Sequence, residues 1–143
     1  MIGHTADTSV VIPALTQWHQ HHQTVRAVLD DVDRLPAHVL AESFSVLTRL
    51  PHGLAVLPAD AAKLLRVRFP GPPLVLDSAA YARLPTRVAK AGLRGGQVYD
   101  ALIAATVAAA DVELLTLDTR AYPVYTAMGV RFRAADGVAN RSI

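Results

Sequence analysis

Two spacings of apolar residues alternate along the 143-residue chain. Short apolar runs read as buried strands, and apolar residues repeating at i, i+3, i+4 and i+7 read as helix faces. A strand is expected over about Ile2 to Ala6, running into Asp7, followed by a helix from Thr8 or Ser9 to about Leu15. Val25, Val28, Leu29 and Val32 share one helical face, and Leu40, Phe44 and Leu47 mark a third helix between Pro36 and Pro51. Leu57, Ala61, Leu64 and Leu65 mark a fourth, closed by Pro70-Gly71-Pro72-Pro73. Leu74 to Leu76 is a candidate strand. Ser78 to Lys90 has a helical pattern that Pro85 is expected to kink or split. Gly92 ends that helix, and Gly95-Gly96 open the turn before a nearly all-apolar helix from Gln97 to Ala110. Val112 to Leu117 reads as a strand ending at Asp118, Tyr122 to Met128 as a short helix stopped by Gly129, and Val130 to Phe132 as a last strand. Strands alternating with helices predict an α/β fold with a mainly parallel sheet. Such sheets bind ligands beyond the carboxyl ends of their strands, where the strand order reverses.

Composition narrows the setting. The length suits a single domain, 1–143, with a full core. Hydrophobic residues make up 52%, yet no window approaches the ~18 consecutive apolar residues of a membrane helix. The polar opening (Gly3, His4, Thr5, Asp7) does not fit a signal peptide, so a cytoplasmic protein with no membrane partner is expected. The chain has no cysteine, which excludes disulfides, a thiolate nucleophile and Cys-based zinc sites. Of its 14 bases all but Lys63 and Lys90 are arginine, at a formal net charge of +2. Arginine's planar fork suits phosphate, so a nucleic-acid partner is permitted. A GC-rich coding bias would give the same composition.

Most of the 12 acids have ordinary explanations. Asp30, Asp31 and Asp33 read as a solvated run, Asp60 as a first-turn helix residue and Asp77 as a cap. Asp111 and Glu113 flank a strand, and Asp136 precedes Gly137. Asp7 and Asp118 differ because each ends an apolar strand, where α/β sheets place ligands, although each could also cap the helix that follows. Asp100 lies in the first turn of the most apolar helix, with Ile103 and Ala104 as neighbours and no Lys or Arg in reach. A helix N-terminus favours its charge by only ~1 kcal/mol, too little to offset burial, so the site must open to water, a cation or both. Glu42, one of two Glu residues, borders the apolar face of its helix near Val39 and Val46 and has no Lys or Arg at i±3 or i±4. If the four converge, they persist only with cations or shared protons, since two carboxylates ~4 Å apart repel by about 4 kcal/mol at an effective dielectric of 20. Oxygen-only ligands select a hard ion, Mg²⁺ or Mn²⁺.

Four stretches carry a family resemblance: Asp7-Thr8-Ser9-Val10-Val11-Ile12, Leu40-Ala41-Glu42, Asp100-Ala101-Leu102-Ile103-Ala104-Ala105-Thr106, and Leu114-Leu115-Thr116-Leu117-Asp118-Thr119-Arg120. In order and spacing the chain resembles the PIN-domain nucleases, in particular the VapC toxins of bacterial toxin–antitoxin pairs. The resemblance implies a three-layer α/β/α sandwich with a five-stranded, mainly parallel sheet. It also implies Mg²⁺-dependent endonucleolytic cleavage of RNA to 5′-phosphate and 3′-hydroxyl ends, with inhibition by a small VapB-type antitoxin. Carried over by position, Asp7, Glu42, Asp100 and Asp118 form the acidic quartet, and all four are expected to bind the metal. A homodimer is expected as well. The chain departs from the family in its polar first strand and in the region from Pro51 to Pro73.

His19, His21 and His22 lack further ligands at metal spacing and read as a surface cluster at a helix start. Gly92-Leu93-Arg94-Gly95-Gly96 lacks the Gly-Lys-Ser/Thr ending of a phosphate loop and reads as a turn. Ser9 and Ser43 have no His–Asp relay. Arg94, Gln97 and Tyr99 are candidates for contact with an RNA backbone, and Trp18 for either partial core burial or an antitoxin groove on the first two helices. The rival function is a non-catalytic PIN-like module that binds RNA or protein. A receiver-type signalling domain would need paired acids after the first strand and a Lys near the last, which are absent.

Overall fold

The computed structural model describes residues 3–136. In chain order these form β1 (His4–Ala6), α1 (Thr8–Leu15), α2 (His22–Val28), α3 (Ala37–Thr48), α4 (Pro58–Arg68), α5 (Ser78–Lys90) and α6 (Gln97–Ala109). Then follow β2 (Glu113–Thr116), a 3₁₀ turn (Thr119–Ala121), α7 (Tyr122–Met128) and β3 (Phe132–Ala134). The strands form one parallel sheet in the order β1-β2-β3, with Thr5 paired to Leu114 and Leu115 to Arg133.

The central strand explains the layering. Leu114, Leu115 and Thr116 are successive and all fully buried. Successive side chains point to opposite faces, so both faces of β2 are covered, as a parallel sheet requires. α1 and α6 supply much of that cover. Val10 and Val11 of α1 and every residue of α6 from Ala101 to Val107 are buried, and the small alanines of α6 let its backbone approach its neighbours closely. Val124 and Tyr125 of α7 complete the same core.

Several expectations change. Three strands, not five, are present among the described residues, and their order does not reverse. Leu74 makes only an isolated parallel bridge to Pro36. Proline on both sides of that bridge (Pro36, Pro72 and Pro73) removes the N–H donors a longer ladder would need. The last strand begins two residues later than its pattern suggests, because the Val130 amide closes the end of α7 on the Tyr125 carbonyl across left-handed Gly129 (φ 75°). α2 stops at Val28, although Leu29 and Val32 still face the core. α5 runs through Pro85 unsplit; the proline and Tyr81, whose carbonyl it leaves unbonded, lie on the helix's exposed side, open to solvent. Ile2, expected at the start of β1, lies outside the described residues. Among the described residues no helix is long and apolar enough to cross a membrane.

Candidate active site

Asp7 follows β1 directly, its amide bonded to the Leu115 carbonyl at 3.1 Å, and its side chain is the N-cap of α1. Oδ1 accepts from the Ser9 amide at 3.1 Å and from the Ser9 hydroxyl, and Oδ2 accepts from the Tyr125 hydroxyl at 2.8 Å. Asp118 caps the 3₁₀ turn after β2, accepting from the Arg120 amide at 3.1 Å. The capping reading of these two acids therefore holds, and it does not compete with a place in the cleft. Each cap satisfies helix-end donors and fixes a carboxylate at the carboxyl end of a strand. The Arg120 guanidinium lies 3.4 Å from Asp118 but is 93% exposed, so this pair neutralises little.

Ser9 ties the two strand ends together. Its hydroxyl donates to Asp7 and accepts from the Leu117 amide at 2.8 Å, while the Thr116 hydroxyl accepts from the Asp118 amide at 3.0 Å. Glu42 reaches the same place from α3. One of its oxygens accepts from the Thr8 hydroxyl, and the other lies 3.7 Å from Nε2 of His38, one turn earlier on its helix. Asp100 arrives from the first turn of α6. Side chains from β1, α1, α3, α6, the β2 end and α7 thus line one cleft of about 110 Å³: Asp7, Thr8, Ser9, Glu42, Asp100, Ile103, Asp118 and Tyr125. All four acids singled out in the sequence are among them.

Their charges work against one another. Burial raises the pKa of Asp7 above the usual carboxylate range, against the hydrogen bonds from Ser9, Thr116 and Tyr125 that lower it, and the Asp118 charge raises it further. Asp100 is pushed up to about 6, first by burial and then by repulsion from Asp118, Asp7 and Glu42, and His38 opposes this. Burial and the neighbouring carboxylates also raise the Tyr125 phenol, which stays protonated and donates to Asp7. Among the described residues no three acid or imidazole side chains are gathered tightly enough to enclose an ion. The donor set nevertheless fits a hard divalent cation: all-oxygen, mutually repelling and half-protonated near pH 6 at Asp100.

Sequence reasoning missed Tyr125, His38 and the bridging role of Ser9. A signal existed for Tyr125, because a tyrosine on the buried face of a short helix needs a partner for its hydroxyl. Tyr125→Phe leaves Oδ2 of buried Asp7 without its donor. Urea denaturation at pH 7 should show a loss of about 1–3 kcal/mol, and an unchanged midpoint would mean the bond contributes nothing. The remaining acids lie apart from the cleft. Asp30, Asp31 and Asp33 are exposed, Asp60 lies in the first turn of α4, and Asp77 caps α5 on the Ala80 amide at 2.8 Å. Asp111 pairs with Arg131 at 2.8 Å, and Glu113 with Arg133 at 2.7 Å. His22 is not on the surface as expected; it is buried, with Nδ1 2.8 Å from the Pro13 carbonyl. Trp18 is 54% exposed, which removes the core-burial reading. The Gly92–Gly96 stretch is a turn, with Gly92 left-handed at φ 75°.

Comparison with known proteins places the fold. A family profile for the PIN domain matches residues 5–126. The chain is 46% identical over 125 residues to Ribonuclease VapC27 of Mycobacterium tuberculosis, covering 87% of this chain and 90% of the relative. It is 36% identical over 124 residues to Ribonuclease VapC40 of the same species, covering 87% and 92%. Among solved structures, VapC20 of M. tuberculosis, described as a sarcin-ricin loop cleaving toxin, superposes with a TM-score of 0.68 at 17% identity, covering 90% of this chain and 96% of that one. FitAcB of Neisseria gonorrhoeae superposes with a TM-score of 0.64 at 22% identity, covering 92% and 97%. The fold is thus shared with a known class of α/β proteins. The chain belongs to the PIN-domain family.

Proposed function

We propose that this protein is a divalent-metal-dependent endoribonuclease acting as the toxin of a toxin–antitoxin pair. The observation that carries the reading is the convergence of four carboxylates from separate elements on one small cleft at the carboxyl ends of β1 and β2. Asp7 and Asp100 would hold the cation, and Asp118 and Glu42 would bind it directly or through water. A bound Mg²⁺, or Mn²⁺ in its place, supplies a water of lowered pKa and positive charge against the scissile phosphate. The chain's own side chains arrange the rest. Ser9 and Tyr125 fix the Asp7 carboxylate from both oxygens, and Thr8 bonds one oxygen of Glu42 while His38 stands 3.7 Å from the other. RNA as substrate is supported by the two ribonuclease relatives, 46% and 36% identical.

A small VapB-type protein is the proposed inhibitor. An arginine presented to the four acids would make charge-assisted, bidentate bonds and compete with the cation. Exposed Trp18 and the hollow between α1, α2 and α4, lined in part by Leu15, Leu64 and Val67, offer an apolar seat for the rest of such a peptide. One experiment tests both parts of the proposal. The purified chain should cut single-stranded RNA with millimolar Mg²⁺ and stop with EDTA, and adding the short protein encoded beside it should silence cleavage. RNA binding without cleavage under every metal condition would overturn the nuclease reading in favour of a binding module. Cleavage that no neighbouring protein inhibits would overturn only the toxin reading.

A further inference from the structure

Beside the acid cleft lies an aromatic pair whose stacking the proposed chemistry does not use. Tyr99 immediately precedes Asp100 on α6, and its ring lies parallel to that of His38 on α3, with an interplanar angle of 5° and centroids 5.5 Å apart. This is the offset-stacked arrangement that aromatic rings prefer. His38 in turn stands close to a cleft residue, its Nε2 3.7 Å from Glu42. The pair is thus joined to the cleft at two points, through Glu42 on one helix and Asp100 on the other. Yet Tyr99 is 56% exposed. One face of its ring rests on His38, and among the described residues no other ring covers the second face.

A tyrosine buried for stability would not be left so open, and one on a solvated face would not be held flat against a second ring. His38 also lines a hollow of about 130 Å³ together with Leu74, Val75, Leu76 and Tyr81. We propose that Tyr99, backed by His38, is a stacking platform for the nucleobase next to the scissile phosphate. Single-stranded nucleic acid is commonly held in this way, by rings beside a site that handles the backbone, and every base offers a π-face to such a ring. The inference rests on the ribonuclease reading. Tyr99 is the contact and His38 the positioning residue that holds its ring flat.

The test uses the full chain and a 12-nucleotide single-stranded RNA carrying 2-aminopurine, whose fluorescence falls when it stacks. Binding is followed in EDTA and cleavage in Mg²⁺. Tyr99→Ala and Tyr99→Leu should each weaken binding roughly tenfold or more, abolish the quench and raise KM with little change in kcat. Tyr99→Phe should bind within about twofold of wild type, as a platform that needs only the ring face requires. His38→Ala should lose part of the affinity and His38→Phe restore it. Melting curves on every variant separate loss of binding from loss of fold. If the wild type cleaves RNA and Tyr99→Leu matches it in binding and KM, the platform is wrong and the nuclease reading stands. If the wild type binds with a Tyr99-dependent quench but never cleaves, Tyr99 stands as a base-stacking contact, while its place beside a scissile phosphate falls with the nuclease reading. If the wild type does not bind RNA, both fall.

Discussion

Asp100→Asn is expected to reduce RNA cleavage by roughly a thousandfold or more, because stabilisation of charge by a held cation is worth several kcal/mol. The substitution keeps the shape of the side chain and removes the charge. In the folded protein the charge has little to recommend it. Asp100 is partly buried, faces the Asp118, Asp7 and Glu42 carboxylates, and has its pKa pushed up to about 6. Loss of the charge should therefore leave the fold intact and raise the urea midpoint of the metal-free protein at pH 7. That pairing separates function from structure. A general disruption of α6 would lower activity and stability together, whereas removal of a cation-binding charge lowers one and raises the other. Cleavage by Asp100→Asn near the wild-type rate would overturn the assignment of the cleft.

The same contrast accounts for how much of the site was legible in the sequence. Asp100 stood out because a charge within an apolar helix violates local pattern, and local pattern is what a sequence displays. Asp7 and Asp118 stood out because each ends an apolar run. Whether they cap a helix or line a site could not be separated by pattern, since one geometry does both. The side chains that hold the acids were far less visible. Tyr125 is 118 positions from the carboxylate it bonds, and Ser9 is 108 from the Leu117 amide. His38 stands at i−4 from Glu42, but an imidazole, unlike a Lys or Arg, carries no fixed charge, so pattern alone does not mark it as a partner. Helix positions were read well from periodicity. The strands were read less well because three- and four-residue segments carry almost no period, and because proline around Leu74 stops a ladder that hydrophobicity alone suggests.

The unfolding temperature of the protein should rise by roughly 5–10 °C in Mn²⁺ at one hundred times its dissociation constant, since a ligand of the folded state alone then adds ~2.7 kcal/mol. Without metal, stability should change with pH in the direction opposite to ordinary acid denaturation. Asp100 has a folded pKa of about 6 against an ordinary 3.8, so between those values the folded protein binds more protons than the unfolded chain. Stability from this group is full below the lower value and declines as pH rises through the upper one. The decline is about 1 kcal/mol once partial exposure to solvent is allowed for, and buried Asp7, raised in the same direction, adds to it. In EDTA the melting temperature should therefore fall from about pH 4 to about pH 7, less steeply in Asp100→Asn; with Mn²⁺ present the fall should disappear, because the cation stabilises the charged form the empty cleft disfavours. Asp118→Ala supplies the control for the ligand set: it removes one of the charges repelling Asp100, so its metal-free profile should be flatter and its gain from Mn²⁺ smaller. Equal gains in wild type and Asp118→Ala would remove Asp118 from the proposed ligands, and a metal-free protein most stable at pH 7 would show that the four carboxylates do not repel one another as their placement requires.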